Sequence, residues 1–294
     1  MHGVRTAASV TGIEAADIPA VASFLHAHLN QRISAAQWSR SIVPPWRGDA
    51  PNHGFVLRSA SDGGADAVVG VLLAFYSERI VDGTVQRFCN VGAWCVLPEH
   101  RSQGLRLVRA LLAQRGYHFT DLSPSGNVVP LNARLGFRHL DTTTAIAVNT
   151  RLPAWQATST ILSDEEDVVA ALDGGQLRIH LDHRTAAAVH HVVIRSGDRS
   201  CYVMVRRDRR KGLPLFATVI HASDKELLRR EFPALCRHLL LRHRVMFTLV
   251  EERVAGGRPS GSRRLASARP KMVRSPLADS DIDYLYSELA CVPW

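Results

Sequence analysis

Val91–Leu112 reads VGAWCVLPEHRSQGLRLVRALL: an apolar run, a proline, a short polar turn ending in glycine, and then a periodic apolar segment. Residues 91–97 have the continuous apolar character of a buried strand, and Pro98 marks its end. Leu105, Val108, Leu111 and Leu112 recur at helical spacing, so the chain passes from strand to helix through Arg101, Ser102, Gln103 and Gly104. A turn of this kind presents free backbone N–H groups at the positive end of a helix dipole. A phosphate or diphosphate suits that geometry, and glycine lets it approach the main chain closely. Arg101, Arg106 and Arg109 could add charge-assisted contacts.

On the N-terminal side, Ile18, Val21, Leu25 and Leu29 predict a helix starting near Asp17 and Pro19, and a second short helix covers Ser34–Ser41. HGFVLRS, AVVGVLLAFYS and VQRFCNVGAWCVL predict three strands joined by turn residues, an antiparallel meander. On the C-terminal side, YHFTDL predicts a fifth strand, residues 128–135 a short helix and TTTAIAVN a closing strand. The second half repeats this order faintly. HHVVIRS, CYVMVRR, LPLFATVIHA and VMFTLVEERV read as strands, and SDKELLRREFPALCRHLLLRH as a helix with Ser223 as its N-cap and Glu226 at the capping-box offset. Gly256–Pro276 has no hydrophobic period and no acidic residue, so a mobile basic loop is expected there. Asp281 or Ser280 is expected to cap a final short helix.

A chain of 294 residues suits two modest domains, and 46% apolar with 21% charged residues is the composition of a soluble globular protein. No apolar run approaches the ~20 residues of a membrane-spanning helix, and no secretory signal is visible, so a cytoplasmic location is expected. Five cysteines, Cys89, Cys95, Cys201, Cys236 and Cys291, are widely spaced without a CxxC pair, which argues against a disulfide framework and a zinc site. His190-His191 and Asp182-His183 lack a third ligand at useful spacing, so no metal is expected. The net charge of +9 is shared between the halves, with 13 basic against 10 acidic residues through position 150 and 23 against 17 beyond it. It fits an anionic cofactor or partner without requiring DNA or RNA. The basic loop contains no aromatic residue for base stacking, which disfavours single-stranded nucleic acid.

The stretch VLPEHRSQGLRLVRALL resembles the acyl-CoA-binding signature of the GNAT (GCN5-related N-acetyltransferase) superfamily: Arg or Gln, two residues, Gly, one residue, then Gly or Ala. Arg101 and Gly104 match its first two fixed positions. PLNARLGFRHL (Pro130–Leu140) is similar to the family's second signature, with Leu135, Gly136 and Phe137 matching. The order of strands and helices is also the family's, so the resemblance covers about 150 residues. It implies an α/β fold: a mixed, mostly antiparallel central sheet flanked by helices, in tandem as residues 1–150 and a degenerate copy over 151–294. It implies that the fourth strand splays from the fifth, with the pantetheine arm of an acyl-CoA in the gap. Trp94, Cys95, Val96 and Leu97 would offer backbone hydrogen bonds to that arm, and Arg101, Ser102, Gln103, Gly104, Leu105 and Arg106 would hold the diphosphate. An amide near Val96 would stabilise the oxyanion.

The implied reaction moves an acetyl or longer acyl group from acyl-CoA directly to an amine, with a hydroxyl as the lesser choice. The acceptor would be a small molecule or an amine-bearing glycan or lipid; an acyl carrier protein is a further partner the basic loop could bind. Two departures from the signatures bear on catalysis. Arg106 stands where the second small residue belongs, and Asn132 stands where many members carry a tyrosine general acid. An amide cannot protonate a leaving thiolate. Glu78, Glu99, His100 and His118 are the candidate bases, and Cys95 is either a nucleophile or a packed strand residue. In the second half Asp224 occupies the place of a phosphate turn and would repel an anion, so no second CoA site is expected. The alternative reading is a non-catalytic GNAT-like protein that binds a ligand or partner.

Overall fold

The computed structural model describes residues 8–60, 66–151, 159–210 and 212–294. The first half runs β1 (Ser9–Gly12), α1 (Ile18–His28), α2 (Ala35–Ile42), β2 (Gly54–Ala60), β3 (Asp66–Val81), β4 (Thr84–Val96), a 3₁₀ turn Pro98–Gln103, α3 (Gly104–Leu112), β5 (His118–Asp121), α4 (Val129–Arg134), β6 (Arg138–His139) and β7 (Thr144–Val148). The second runs β8 (Thr160–Leu162), α5 (Glu165–Ala170), α6 (Gly174–His183), β9 (Val189–Ser196), β10 (Arg199–Arg210), β11 (Leu213–Ala222), α7 (Lys225–His243), β12 (Phe247–Glu251), α8 (Glu252–Ala255), β13 (Arg263–Arg264), β14 (Met272–Arg274) and α9 (Glu288–Cys291).

Local sequence accounts for the early elements. Proline in the first turn of α1 is compatible with helix, and Val21, Ala22, Phe24 and Leu25 form its buried side. Ser34 caps α2 through a reciprocal box: its hydroxyl accepts from the Gln37 amide at 3.2 Å while its own amide donates to the Gln37 side chain at 2.9 Å. β2, β3 and β4 form the expected antiparallel meander. β5 then returns parallel to β4, with α3 as the crossover.

The strands form two seven-stranded sheets, ordered β1-β2-β3-β4-β5-β14-β6 and β13-β7-β12-β11-β10-β9-β8. Both are mostly antiparallel and flanked by helices. The chain crosses between them twice. β7, from the first half, pairs with β12, placing Ile146 opposite Leu249. β14, from the end of the chain, enters the first sheet between β5 and β6, placing Met272 opposite Asp121 and His139. One buried core joins the halves, with Trp38, Phe75 and Phe88 from the first, Tyr202, Met204 and Ile220 from the second, and Tyr284, Leu289 and Val292 from the C-terminal segment.

Three sequence expectations are corrected. Gly256–Pro276 is not a free loop: β13 and β14 lie within it, and Met272 and Val273 are fully buried. Lys271 is buried too, its ammonium 2.8 Å from Glu251, whose carboxylate also accepts from the Tyr284 hydroxyl. A segment without hydrophobic period gained order because three residues of it complete a sheet. Asp224, not Ser223, caps α7 by accepting from the Leu227 amide at 2.9 Å; the Ser223 hydroxyl instead accepts from the Tyr202 amide. The final helix begins after Ser287, and residues 279–281 form only a 3₁₀ turn.

Candidate active site

β4 and β5 pair in parallel from Phe88 opposite His118 to Val91 opposite Asp121, and there the pairing stops. β4 continues to Val96 with β3 alone beside it among the described residues. Between Val91 opposite Ala74 and Trp94 opposite Leu72, β4 carries one residue more than β3, a bulge at Gly92–Ala93 that turns the strand. Glycine is required there: a Cβ on residue 92 would lie 2.8 Å from the Phe75 ring and 3.3 Å from Glu288 Cβ. The parted strands enclose a cleft of about 440 Å³. Ala93, Trp94, Val108, Val128 and Phe137 make it largely apolar, and Asp121, Ser123 and Asn132 supply polar groups.

Antiparallel pairing decides which backbone groups face this opening. The Leu97 amide donates to Val69 O at 2.9 Å, so Leu97 is spent on β3 and is not the free backbone group expected of it. Alternation then directs the main-chain groups of Cys95 into β3 as well, and those of Trp94 and Val96 toward the open edge. The Trp94 side chain lines the cleft, and its buried indole N–H has no partner among the described residues. Cys95 is half-buried, and desolvation pushes its thiol above the ordinary value, which disfavours a nucleophilic thiolate.

The segment expected to hold a diphosphate is helical rather than open. Residues 98–103 form a 3₁₀ turn continuous with α3, and the Gly104 amide donates to Arg101 O. Gly104 has φ −56°, so its backbone does not need glycine; a Cβ there would lie 3.2 Å from Val96 Cγ2, a tight contact with a side-chain methyl. Arg101 and Ser102 are exposed, and Gln103 and Leu105 are half-buried. Arg106 is committed elsewhere: its guanidinium donates to Ala8 O at 2.6 Å and to the Gln103 side chain at 3.1 Å, tying α3 to the start of β1.

Of the candidate bases, Glu99 is exposed on the 3₁₀ turn, and His100 next to it is half-buried. Glu78 and His118 are placed away from the cleft. Glu78 is exposed on β3 opposite Arg87, and the His118 ring bonds Gln86 and Ser275. Asn132 does line the cleft, buried, with its amide donating to Asp121 Oδ2 at 2.7 Å. Asp121 is the acid that sequence reasoning missed. Burial pushes its carboxyl up to about 6, against the opposing pull of the Asn132 and Ser123 hydrogen bonds. Behind it Glu288 is fully buried and pushed up to about 8, by desolvation first and the neighbouring Asp121 second. The Ser123 hydroxyl donates to Glu288 Oε1 at 2.9 Å, and Glu288 Oε2 has no partner among the described residues. An acid ending the apolar strand HFTD was a readable signal; nothing local marks Glu288.

At the corresponding place in the second half, the Asp224 carboxylate caps α7 and holds Arg199 at 2.6 Å, leaving a negative group where an anion would have to sit. Among the described residues no group of three His, Cys, Asp or Glu could hold a metal ion, and no helix is long and apolar enough to cross a membrane.

No family model and no curated protein matches the sequence. Solved structures do match the fold. A GCN5-related N-acetyltransferase from Anabaena variabilis is 10% identical with a TM-score of 0.58, over 91% of this chain and 72% of that one. An acetyltransferase-like protein from Pyrococcus horikoshii is 12% identical with a TM-score of 0.57, over 99% of both chains. Saccharomyces cerevisiae N-myristoyltransferase, solved with bound myristoyl-CoA, is 10% identical with a TM-score of 0.51, over 98% of this chain and 86% of that one. The fold of this chain is therefore that of the GCN5-related N-acetyltransferases.

Proposed function

We propose that this chain is an acyltransferase that moves an acetyl or longer acyl group from acyl-CoA to an amine, in preference to a hydroxyl, on a small-molecule, glycan or lipid acceptor. The observation that carries the reading is the parting of β4 from β5 beyond Val91 and Asp121, which leaves an apolar cleft of about 440 Å³ beside an unpaired strand edge. An extended amide-bearing arm can add to such an edge as a further strand would. The fit is good along the cleft, where apolar walls flank the free backbone groups of Trp94 and Val96. At its outer end the fit rests on the exposed side chains of Arg101 and Arg109 rather than on an open amide loop. The two sheets support a tandem reading, residues 1–150 and 151–294, with β7 and β14 exchanged between the units.

Acyl-CoA supplies the activated thioester. The Trp94 and Val96 main chain orients the acyl group, and an open-edge N–H receives the charge that develops on its oxygen. Asp121, at a pKa of about 6, is mostly ionised at neutral pH and takes a proton from the attacking amine, while Asn132 fixes its carboxylate; as the new C–N bond forms the C–S bond breaks, and CoA leaves as a thiolate that takes its proton from solvent. In this reading Asn132 is a positioning residue, and Glu99, outside the cleft lining, is dispensable. Calorimetric titration with CoA and thiol release from acetyl-CoA over an amine panel test the proposal; absence of binding at millimolar CoA would remove it. The closed 3₁₀ turn and the committed Arg106 favour a second reading, a binding protein without catalysis. That reading expects CoA binding with no thioester turnover.

A further inference from the structure

A smaller chamber of about 70 Å³ lies between the two sheets and shares Ser123, Arg269 and Trp294 with the cleft. Its floor is β10. Strand alternation places Tyr202, Met204, Arg206, Asp208 and Arg210 on one face, and Tyr202 and Met204 belong to the core shared with the first half. This face therefore looks toward the cleft, while Val203 and Val205 pack in the core beneath α7.

The chamber's charges do not balance. Among the described residues four cationic side chains line it, Arg206, Arg210, Arg269 and Lys271, against two carboxylates, Asp208 and Glu251. Arg269 neutralises Asp208 at 3.0 Å, and Lys271 neutralises Glu251 at 2.8 Å. Arg206 and Arg210 remain without an ion pair among the described residues. Arg206 is only 4% exposed; one of its nitrogens donates to Leu289 O at 3.1 Å, and its Nε has no partner among the described residues. The Nε of Arg210 is buried and unpartnered in the same way, nearer the solvent end. Glu288 is a further neighbouring acid, but burial keeps its carboxyl protonated to about pH 8, so it does not discharge Arg206 at neutral pH. A buried guanidinium with an unused N–H is costly unless an anion completes it.

We propose that this chamber is the acceptor's anion subsite: Arg206, with Arg210 at its mouth, takes the carboxylate of an amine substrate whose nitrogen lies in the cleft beside Asp121. The inference rests on the acyl-transfer reading for the amine and deepens it by naming the acceptor as an amino acid or another carboxylate-bearing amine. The chamber, a little over twice a water's share of liquid volume, admits a carboxylate, and the planar guanidinium fork matches one in a bidentate pair.

The test is thermal shift and calorimetry on the full chain with acetate, succinate and inorganic phosphate, each against chloride at matched ionic strength. Carboxylates are expected to raise the melting temperature of the wild type above the chloride control. Arg206→Met should abolish the response, and Arg210→Gln, at a half-exposed site, should weaken carboxylate binding about tenfold even if Arg206→Met does not fold. The proposal is overturned if carboxylates behave as chloride does, if the response is undiminished in Arg210→Gln or in a folded Arg206→Met, or if phosphate alone binds. CoA titration of the same samples separates the two claims. CoA binding without a carboxylate response sinks the subsite alone, and a carboxylate response without CoA binding sinks the acyl-transfer reading alone. With acetyl-CoA, an amino acid should be acylated at least about tenfold more efficiently than its carboxamide; equal rates overturn the subsite.

Discussion

Glu288→Gln should stabilise this protein, and more at pH 8 than at pH 6. The wild-type carboxyl has an ordinary value of 4.5 in the unfolded chain and about 8 when folded, because it is wholly buried beside Asp121. A raised carboxyl means that the folded state keeps a proton which the unfolded state releases, so stability falls as pH rises from 4.5 toward 8. At 1.36 kcal/mol per unit, the penalty is about 2 kcal/mol at pH 6 and about 4 kcal/mol at pH 8. Glutamine is nearly isosteric, does not ionise, and can still accept from the Ser123 hydroxyl. The difference of roughly 2 kcal/mol corresponds to about 5 °C in melting temperature for a chain of this size. Paired thermal melts of wild type and variant at both pH values measure it. An equal shift at pH 6 and pH 8, or a loss at both, would refute the claim that Glu288 is held protonated by burial.

Asp121→Asn should lower kcat by about 10²–10³ with little change in folding, and the rise of wild-type activity through a pKa near 6 should vanish in the variant; steady-state thiol release over pH 5–8 checks both. Arg106→Ala should cost about 1 kcal/mol through the lost bond to Ala8 O while CoA affinity stays within about twofold, because the side chain serves β1 and not the diphosphate; calorimetry with CoA and a urea melt separate the two. Gly92→Ala should destabilise by about 1–3 kcal/mol, since its Cβ would lie 2.8 Å from the Phe75 ring; a normal melt would mean the bulge can shift. His183 and His221, each lowered by burial from 6.5 to about 4, stay neutral in the folded state while the unfolded chain takes up protons. Their contribution should therefore fall as pH drops from 6.5 to 4, and glutamine at either position should flatten that part of a urea-melt pH profile.

Much of the fold was legible in the chain itself. The periodic faces of α1 and α3, the presence of α2 and the β2–β4 meander are local facts, set by side chains within a turn or two of one another. The strand–turn–helix around Gly104 was legible for the same reason, yet its role changed. The sequence cannot show that residues 98–103 wind into a 3₁₀ turn, or that Arg106 has Ala8 O within reach at 2.6 Å. Ser223 is a good cap on paper, but in the fold its hydroxyl accepts from the Tyr202 amide and Asp224 takes the cap at Leu227.

The site beyond the cofactor strand belongs to tertiary structure. Asp121 meets Asn132 eleven residues on, but Glu288 reaches Ser123 from 165 residues away and Arg206 meets Leu289 from 83. β7 pairs with β12 and β14 with β5 and β6, so each joins strands on the other side of the chain's midpoint. A strand edge carries the same donors and acceptors everywhere, so only the arrangement of the whole chain decides which edge it meets. Buried charge follows the same rule: a carboxyl or guanidinium is ordinary in sequence and acquires its altered chemistry only when distant segments remove its water.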